Sequence, residues 1–368
     1  MYDVMISGYY GFKNSGDDAI LKAIIDNLRR YKKDIKILVL SMNPRETKKI
    51  YGVDAINRYN LIGIWWAMRR TKLFINGGGS LIQDITSTRS LLYYLSIIWL
   101  AKKMGMKTMI YANGIGPIRK DSNRAIAARI INQVDVITLR EEMSKKELDE
   151  LKVDKPSIII TADPALTLEA ETDDNIISLL KREGVDLNCP LVGFSLREWD
   201  ESGKNFEEIM ARIADYVIEA FGAAPVFIPM HYPRDLAIAN SIAARMKGKA
   251  HIIQHKYNVA EMMGIIRKMD LIIGMRLHAL IYAATYGVPV VGIVYEPKVE
   301  GFITYIGQTS AGHVKNLQYD KLKSIVDDLW NNRHSIRQEL QRNSMELKNK
   351  ALENARIAVE LVEESRNI

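Results

Sequence analysis

DLIIGMRLHALIYAATYGVPVVG, Asp270 to Gly292, contains the fold in miniature. An apolar run closes on Gly274, a stretch with helical apolar spacing follows, and a second β-branched run opens after Gly287. Two buried strands joined by one helix make a βαβ unit, the building block of parallel α/β sheets. A helix that opens near Arg276, Leu277 and His278 sets Arg276 and His278 at its positive end, where anions are favoured. An Arg fork meets a carboxylate or phosphate through two parallel bonds. A histidine beside it can move a proton near neutral pH. The competing reading gives both residues a purely structural role.

The same rhythm runs outward in both directions. Upstream lie DVMISG (Asp3–Gly8), IKILVLS (Ile35–Ser41), KLFINGGG (Lys72–Gly79), KTMIYANGIG (Lys107–Gly116), VDVITLR (Val134–Arg140) and SIIITADPAL (Ser157–Leu166). Helical patterns such as Asp17–Tyr31, Ser87–Met104 and Asn123–Gln133 separate them. An acid-rich stretch, residues 169–188, reads as a linker. The rhythm then restarts with PLVGFSLR (Pro190–Arg197), APVFIPMH (Ala224–His231), AHIIQH (Ala250–His255) and VPVVGIVY (Val288–Tyr295). The expectation is an α/β protein with two Rossmann-like domains facing a cleft, residues 1–168 and 189–319. A long C-terminal helical region, 320–368, carries Ile336, Leu340, Leu347, Ala351 and Leu361 on or near one face. It packs back across the domains or pairs between subunits, so an oligomer stays open.

Composition narrows the partners. The 368 residues can bury two cores, and 48% hydrophobic with 26% charged residues is ordinary for a soluble globular chain. The one cysteine, Cys189, excludes an intramolecular disulfide and a cysteine-rich zinc site and fits a reducing cytosol. MYDVMISG reads directly as a strand, so no export signal is expected. A net charge of +7 favours anionic partners. Nucleic acid is the least favoured of these, because no zinc-finger spacing or RNP-type aromatic motif appears. LLYYLSIIWLA (Leu91–Ala101) is too short for a helix to cross roughly 30 Å of hydrocarbon. LIGIWWAMRRTK (Leu61–Lys72) sets Trp65 and Trp66 beside Arg69, Arg70 and Lys72, which suits a membrane interface. A buried helix followed by a solvated edge is the alternative for each stretch.

The remaining candidates fall just after expected strands. GYYGFKNSGDDAI (Gly8–Ile20) is a glycine turn between strand and helix, yet Asp17 and Asp18 occupy the place where an anion would bind. INGGGSLIQD brings Gly77, Gly78 and Gly79 to a strand exit, with Asn76 or Ser80 as donors; YANGIGPI does the same with Asn113, Gly114 and Gly116. Neither is a Walker A loop nor a G-x-G-x-x-G turn, which disfavours ATP and NAD. Arg197 ends the first strand of the second half and His231 the next, while VYEPKVEGF adds Glu296 and Lys298.

With these motifs together, the chain closely resembles the polysaccharide pyruvyl transferase family, in its bacterial cell-surface (CsaB) type. The resemblance covers nearly the whole chain through NSGDDAIL, INGGGSLIQD, NGIGP, ADPAL, SLR, IPMH and MRLHALIYAATYGVPVVGIVYEPK. Asp18 stands where the family more often has Glu. The resemblance implies a glycosyltransferase-B-like fold and transfer of pyruvate from phosphoenolpyruvate onto two hydroxyls of one sugar, as a cyclic ketal. It further implies N-acetylmannosamine in a lipid-diphosphate-linked precursor of a secondary cell-wall polymer that anchors S-layer domains. The expected setting is cytoplasmic, at the inner face of the membrane.

Arg197, Arg276 and His278 match the family's donor-binding positions, with Lys298 a companion. A carboxylate and a phosphate on a three-carbon frame call for several cations, and His278 is the candidate acid for the methylene carbon. Asn14, Asp17, Asp18, Gly78, Gly79, Asn113 and His231 are then expected on the acceptor side, with Asp17 the candidate base. Asp17 and Asp18 would repel phosphate but accept hydrogen bonds from hydroxyls; complementing the helix N-terminus is their alternative role. No metal and no cofactor beyond the donor substrate is expected. The rivals are a nucleotide-sugar glycosyltransferase or epimerase of the same fold, and a catalytically dead sugar-binding protein at the membrane surface.

Overall fold

The computed structural model describes residues 1–85, 87–199 and 205–365. It divides into two units, Met1–Leu168 with Leu347–Ile368, and Glu169–Glu346.

The first unit is built on seven strands: β1 (Tyr2–Ser7), β2 (Ile37–Ser41), β3 (Asp54–Asn57), β4 (Thr71–Ile82), β5 (Lys107–Ile115), β6 (Val136–Leu139) and β7 (Ser157–Ile160). Every pairing is parallel, in the order β3-β2-β1-β4-β5-β6-β7. Its helices are α1 (Ser15–Tyr31), α2 (Pro44–Tyr51), α3 (Leu61–Met68), α4 (Thr88–Lys103), α5 (Asp121–Ile131) and α6 (Glu142–Glu150). Parallel strands covered on both faces must be apolar throughout, which is why β2 reads ILVLS with every residue buried. One core joins Val4, Ile6 and Ile75 to Ile20 and Ile24 of α1. The other joins Met5 and Phe74 to Ile64 of α3 and to Leu91, Leu95 and Ile98 of α4. The apolar run Leu91–Ala101 is therefore half of an amphipathic helix, started by Ser87, whose hydroxyl accepts from the backbone N–H of Arg89 and Ser90.

The second unit opens with α7 (Asp173–Arg182) and continues β8 (Leu191–Ser195), α8 (Phe206–Phe221), β9 (Ala224–Phe227), α9 (Arg234–Ala243), β10 (His251–Ile252) and α10 (Val259–Arg267). It closes with β11 (Leu271–Gly274), α11 (Leu277–Thr285), β12 (Val290–Val294), α12 (Pro297–Tyr305), β13 (Thr309–His313), α13 (Tyr319–Asn331) and the long α14 (Arg333–Glu364). The sheet is again parallel, ordered β10-β9-β8-β11-β12-β13. Residues 270–292 form the expected strand, helix and strand.

Two boundaries differ from the sequence pattern. The stretch 169–188 is no bare linker: it holds α7, whose Ile176, Leu179 and Leu180 are buried. A Cβ on Gly264 of α10 would lie 2.4 Å from Ile176, so α7 and α10 touch closely. Asp173 and Asp174 at its start and acids on either side of it, such as Glu169, Glu171, Glu183 and Asp186, mask its apolar spacing in the sequence. Nor is the C-terminal run one appendage. From Leu347 onward α14 belongs to the first unit, where Ala355, Ala358 and Val362 complete the α1-side core. Buried Asn354 fixes it there, accepting from Thr161 Oγ1 at 2.8 Å and donating to the Ala162 carbonyl at 3.2 Å. The last residues of that run, 366–368, lie outside the described part.

Candidate active site

In each sheet the strand order reverses once, between β1 and β4 and between β8 and β11. Crevices at the carboxyl ends of strands flanking such a reversal are where α/β sheets bind ligands. The functional candidates lie at these two edges.

In the second unit, the chain leaving β11 is pinned to β8, since the N–H of Met275 donates to the Ser195 carbonyl at 2.8 Å. Arg276 follows as the residue that starts α11. Its guanidinium grips Asp235 with two bonds, Nε to Oδ2 at 2.9 Å and Nη2 to Oδ1. Asp235, buried in the first turn of α9, also accepts from the backbone N–H of Met230 at 3.2 Å and His231 at 2.9 Å. One carboxylate thus fastens the IPMH turn to the start of α11. It also neutralises part of a charge that the sequence pattern assigns wholly to a ligand. Its only trace in the sequence is an Asp four residues beyond His231.

His231 sits between these groups. Burial pushes its pKa below the ordinary histidine value, and the positive charges of Arg276, Arg234 and Arg197 push it further, against the pull of Asp235. Its imidazole is therefore neutral at neutral pH, and it shares one neighbourhood with Arg276 and Arg197. Arg197, just beyond β8, lies over the rings of Trp199 and Tyr295, 5.0 and 4.8 Å from their centroids. Lys298 approaches the same Tyr295 ring to 5.6 Å and forms an ion pair with Glu296. Ring faces hold cations without neutralising them. His278 stands in the first turn of α11, partly exposed, 6.3 Å centroid to centroid from Tyr282. Arg197, His231, Arg276, His278 and Lys298 thus project from the ends of four adjacent strands, β9, β8, β11 and β12. The Tyr295 ring, which meets two of these cations, and Trp199 packed against it have no signature in the sequence.

The first unit's edge is closed more tightly. Asn14 caps α1 by accepting from the Gly16 N–H at 3.1 Å. Asp17 and Asp18 occupy the first turn, partly exposed. A Cβ added to Gly79, at φ +76°, would lie 3.5 Å from Asp17 Oδ1, so this carboxylate stands over the end of β4. Its neighbours in the triplet serve packing. A Cβ on Gly78 would come within 2.1 Å of Ile20, and one on Gly77 within 2.7 Å of the Tyr10 hydroxyl, which donates to the Gly77 carbonyl. Gly78 thus admits helix α1 instead of a sugar. Asn113 is likewise corrected: it is fully buried, and its amide donates to the Asn76 and Tyr111 carbonyls at 2.9 and 3.2 Å, tying β5 to β4.

Beside it a buried ion pair links Arg140 to Asp163 at 2.9 Å, and Arg140 also donates to Ser80 Oγ at 3.0 Å. This explains Gly114, where a Cβ would lie 2.8 Å from Glu141 and 3.1 Å from Arg140. Asn14, Asp17, Asp18 and Gly79 are thereby gathered at one edge, while Gly78 and Asn113 are structural. His231, expected with them, belongs to the cationic edge of the second unit.

Among the described residues no group of three or more His, Cys, Asp or Glu gathers as a metal site. None of their helices is long and apolar enough to cross a membrane.

Two parallel α/β units with polar edges at their strand reversals define a glycosyltransferase-B-like architecture. Solved structures agree in fold. Anabaena HepE, in complex with UDP-glucose, superposes with a TM-score of 0.67 at 10% identity, covering 98% of this chain and 99% of its own. A putative UDP-N-acetylglucosamine 2-epimerase from Listeria monocytogenes gives 0.66 at 12% identity, covering 95% and 93%. The family model of polysaccharide pyruvyl transferase matches residues 14–297, and the chain belongs to that family. It is similar to the amylovoran biosynthesis protein AmsJ of Erwinia amylovora, 23% identical over 397 residues, which span 92% of this chain and 94% of that protein. Family membership makes it a transferase of polysaccharide biosynthesis.

Proposed function

We propose that the protein transfers pyruvate from phosphoenolpyruvate onto two hydroxyls of one sugar, forming a cyclic ketal and releasing phosphate. The observation that carries this reading is the convergence of Arg197, Arg276, His278 and Lys298 on the edge of the second sheet. A small trianionic donor needs several cations close together, one of them pre-oriented, and the Asp235 grip orients Arg276. His278 delivers a proton to the methylene carbon of the donor. The adjacent carbon becomes electrophilic, the first sugar hydroxyl adds there, and its proton leaves to a base. The bond from that carbon to the phosphate oxygen then breaks, the phosphate leaving with the first hydroxyl's proton. The second hydroxyl closes the ketal as its proton returns to His278. Asp17 is the base in this scheme and, with Asp18, accepts from sugar hydroxyls. The reaction needs no cofactor in this scheme.

The acceptor is read as N-acetylmannosamine, ketalised at its 4- and 6-hydroxyls, in a lipid-diphosphate-linked disaccharide. The product would be a cytoplasmic precursor of a secondary cell-wall polymer that anchors S-layer proteins. The test is mass spectrometry of such a disaccharide after incubation with phosphoenolpyruvate: a gain of one pyruvate less one water is expected. The fold neighbours favour one rival, a nucleotide-sugar enzyme, since HepE is described in complex with UDP-glucose. A rise in melting temperature with a UDP-sugar and none with phosphoenolpyruvate would select that rival.

A further inference from the structure

Helices α3 and α4 bury one side in the same core and leave an unusual outer side. Of the eight residues of α3, Ile64 and Met68 are buried, while Leu61, Ile62, Trp65 and Trp66 are exposed, Ile62 to 75% and Trp66 to 53%. On α4 the exposed positions Leu92, Ser96, Trp99 and Lys103 follow helical spacing as one stripe. The chain entering α3 reaches α4, since Tyr59 meets Tyr93 at 6.0 Å between ring centroids, and both helices pack on that one core. Single exposed apolar residues are ordinary, but a contiguous patch of large ones marks an interaction surface.

Along this stretch of the chain the charge is almost entirely of one sign. From residue 55 to residue 120 the chain carries ten Lys and Arg and a single acid, Asp84, which is buried. Arg69, Arg70, Arg89 and Lys103 are exposed, and the Arg69 guanidinium lies 4.9 Å from the Trp65 ring centroid. Lys72 does not belong with them, because its Nζ is 2.7 Å from Asp3 and its side chain is mostly buried. A second copy docked on this face would set like charges against each other. Tryptophan with arginine and lysine around an apolar centre is the composition that partitions into the headgroup layer.

We infer that the outer face of α3 and α4 docks on an anionic lipid bilayer. The inference goes beyond the proposed reaction and rests on neither donor nor ketal. The orientation is set by the apolar centre, Ile62, Trp65, Trp66 and Trp99, which enters the headgroup layer while the basic rim meets lipid phosphates. Exposed charges act within a Debye length of about 8 Å at physiological salt, so docking is reversible and weakens as salt rises.

The test is co-sedimentation of the full chain with vesicles of phosphatidylcholine alone or mixed with phosphatidylglycerol, with tryptophan emission recorded in parallel. Salt-sensitive binding to the mixed vesicles and a blue shift are expected. Arg69→Ser with Arg70→Ser should weaken partitioning roughly 10- to 30-fold. Ile62→Ser with Trp66→Ser should lose most of the binding, with melting curves confirming that both variants fold. Lys247→Ser with Lys249→Ser removes the same charge from the exposed α9–β10 turn of the second unit and should leave binding unchanged. Equal weakening by that control, or no binding by the unaltered chain, overturns the inference. So does an Ile62- and Trp66-dependent dimer without vesicle binding, or an acidic protein occupying the face in place of lipid. Turnover of a short, water-soluble acceptor by the Arg69 and Arg70 variant should stay unchanged, so failure of docking and failure of the pyruvyl-transfer reading are separable.

Discussion

The two sheets share one parallel topology and one kind of strand reversal, yet their edges carry opposite chemistry. At β8 and β11 the edge is cationic, with arginines stacked on rings or gripped by one buried carboxylate. At β1 and β4 it is acidic and amide-rich, and its glycines are filled by Tyr10 and Ile20. The comparison teaches that the parallel sheet sets only where a ligand can sit. What it can hold depends on the few side chains just beyond each strand.

Replacing His278 by Gln is the sharpest blow to the cationic edge. Turnover should fall on the order of 10²–10⁴ while phosphoenolpyruvate binding persists, as acid catalysis requires. Parallel losses in titration and rate would make His278 a ligand instead.

Asp235→Ala tests whether that edge depends on this buried carboxylate. Breaking the pair strands Arg276 and two backbone N–H groups, so unfolding in denaturant should show a loss of about 3–5 kcal/mol. A stability change below that of ordinary surface variants would mean that Asp235 does not hold the edge together.

Arg276→Lys keeps the charge and loses the planar fork. Donor affinity, measured calorimetrically, should weaken by about 1.5–3 kcal/mol; an unchanged isotherm removes Arg276 from the donor pocket.

For the acidic edge, Asp17→Asn should lower turnover while leaving the phosphoenolpyruvate isotherm intact. A matching loss of donor affinity would erase the distinction between the two edges.

The smallest effect is a titration. His231 is held below its ordinary pKa by burial and by Arg276, so its ring NMR signals should titrate at lower pH than a free histidine. The unfolded chain then binds a proton that the folded chain refuses. This contribution to stability is complete above the unfolded value of about 6.5 and is lost as pH falls from there through the folded pKa. Bound donor adds negative charge and should move the titration upward; no movement on adding phosphoenolpyruvate would place the donor elsewhere.

The strands and most helices were legible because both leave periodic traces. Buried parallel strands read as unbroken apolar runs, and α1, α4 and α5 repeat at helical spacing. Of the candidate site, Arg197, Arg276, His278 and Lys298 were legible because each follows a strand directly. Asp235 and Tyr295 were not, since each matters through an arginine distant in sequence, Arg276 and Arg197; Trp199, two residues from Arg197, gains its place only by packing on Tyr295. Gly78 and Asn113 looked like ligand positions because glycine and asparagine after a strand serve close packing and ligand approach equally well.

By itself, then, the sequence determined the two parallel α/β units, the cationic residues at the second strand reversal and the acidic helix start in the first. These are properties of local pattern and neighbouring residues. Tertiary structure alone decided that α14 completes both units, that Asp235 orients Arg276, and that Lys72 is tied to Asp3 while Trp66 stays exposed. Burial and pairing are set by residues far apart in the chain, and no local pattern records which side of a helix finds a neighbour.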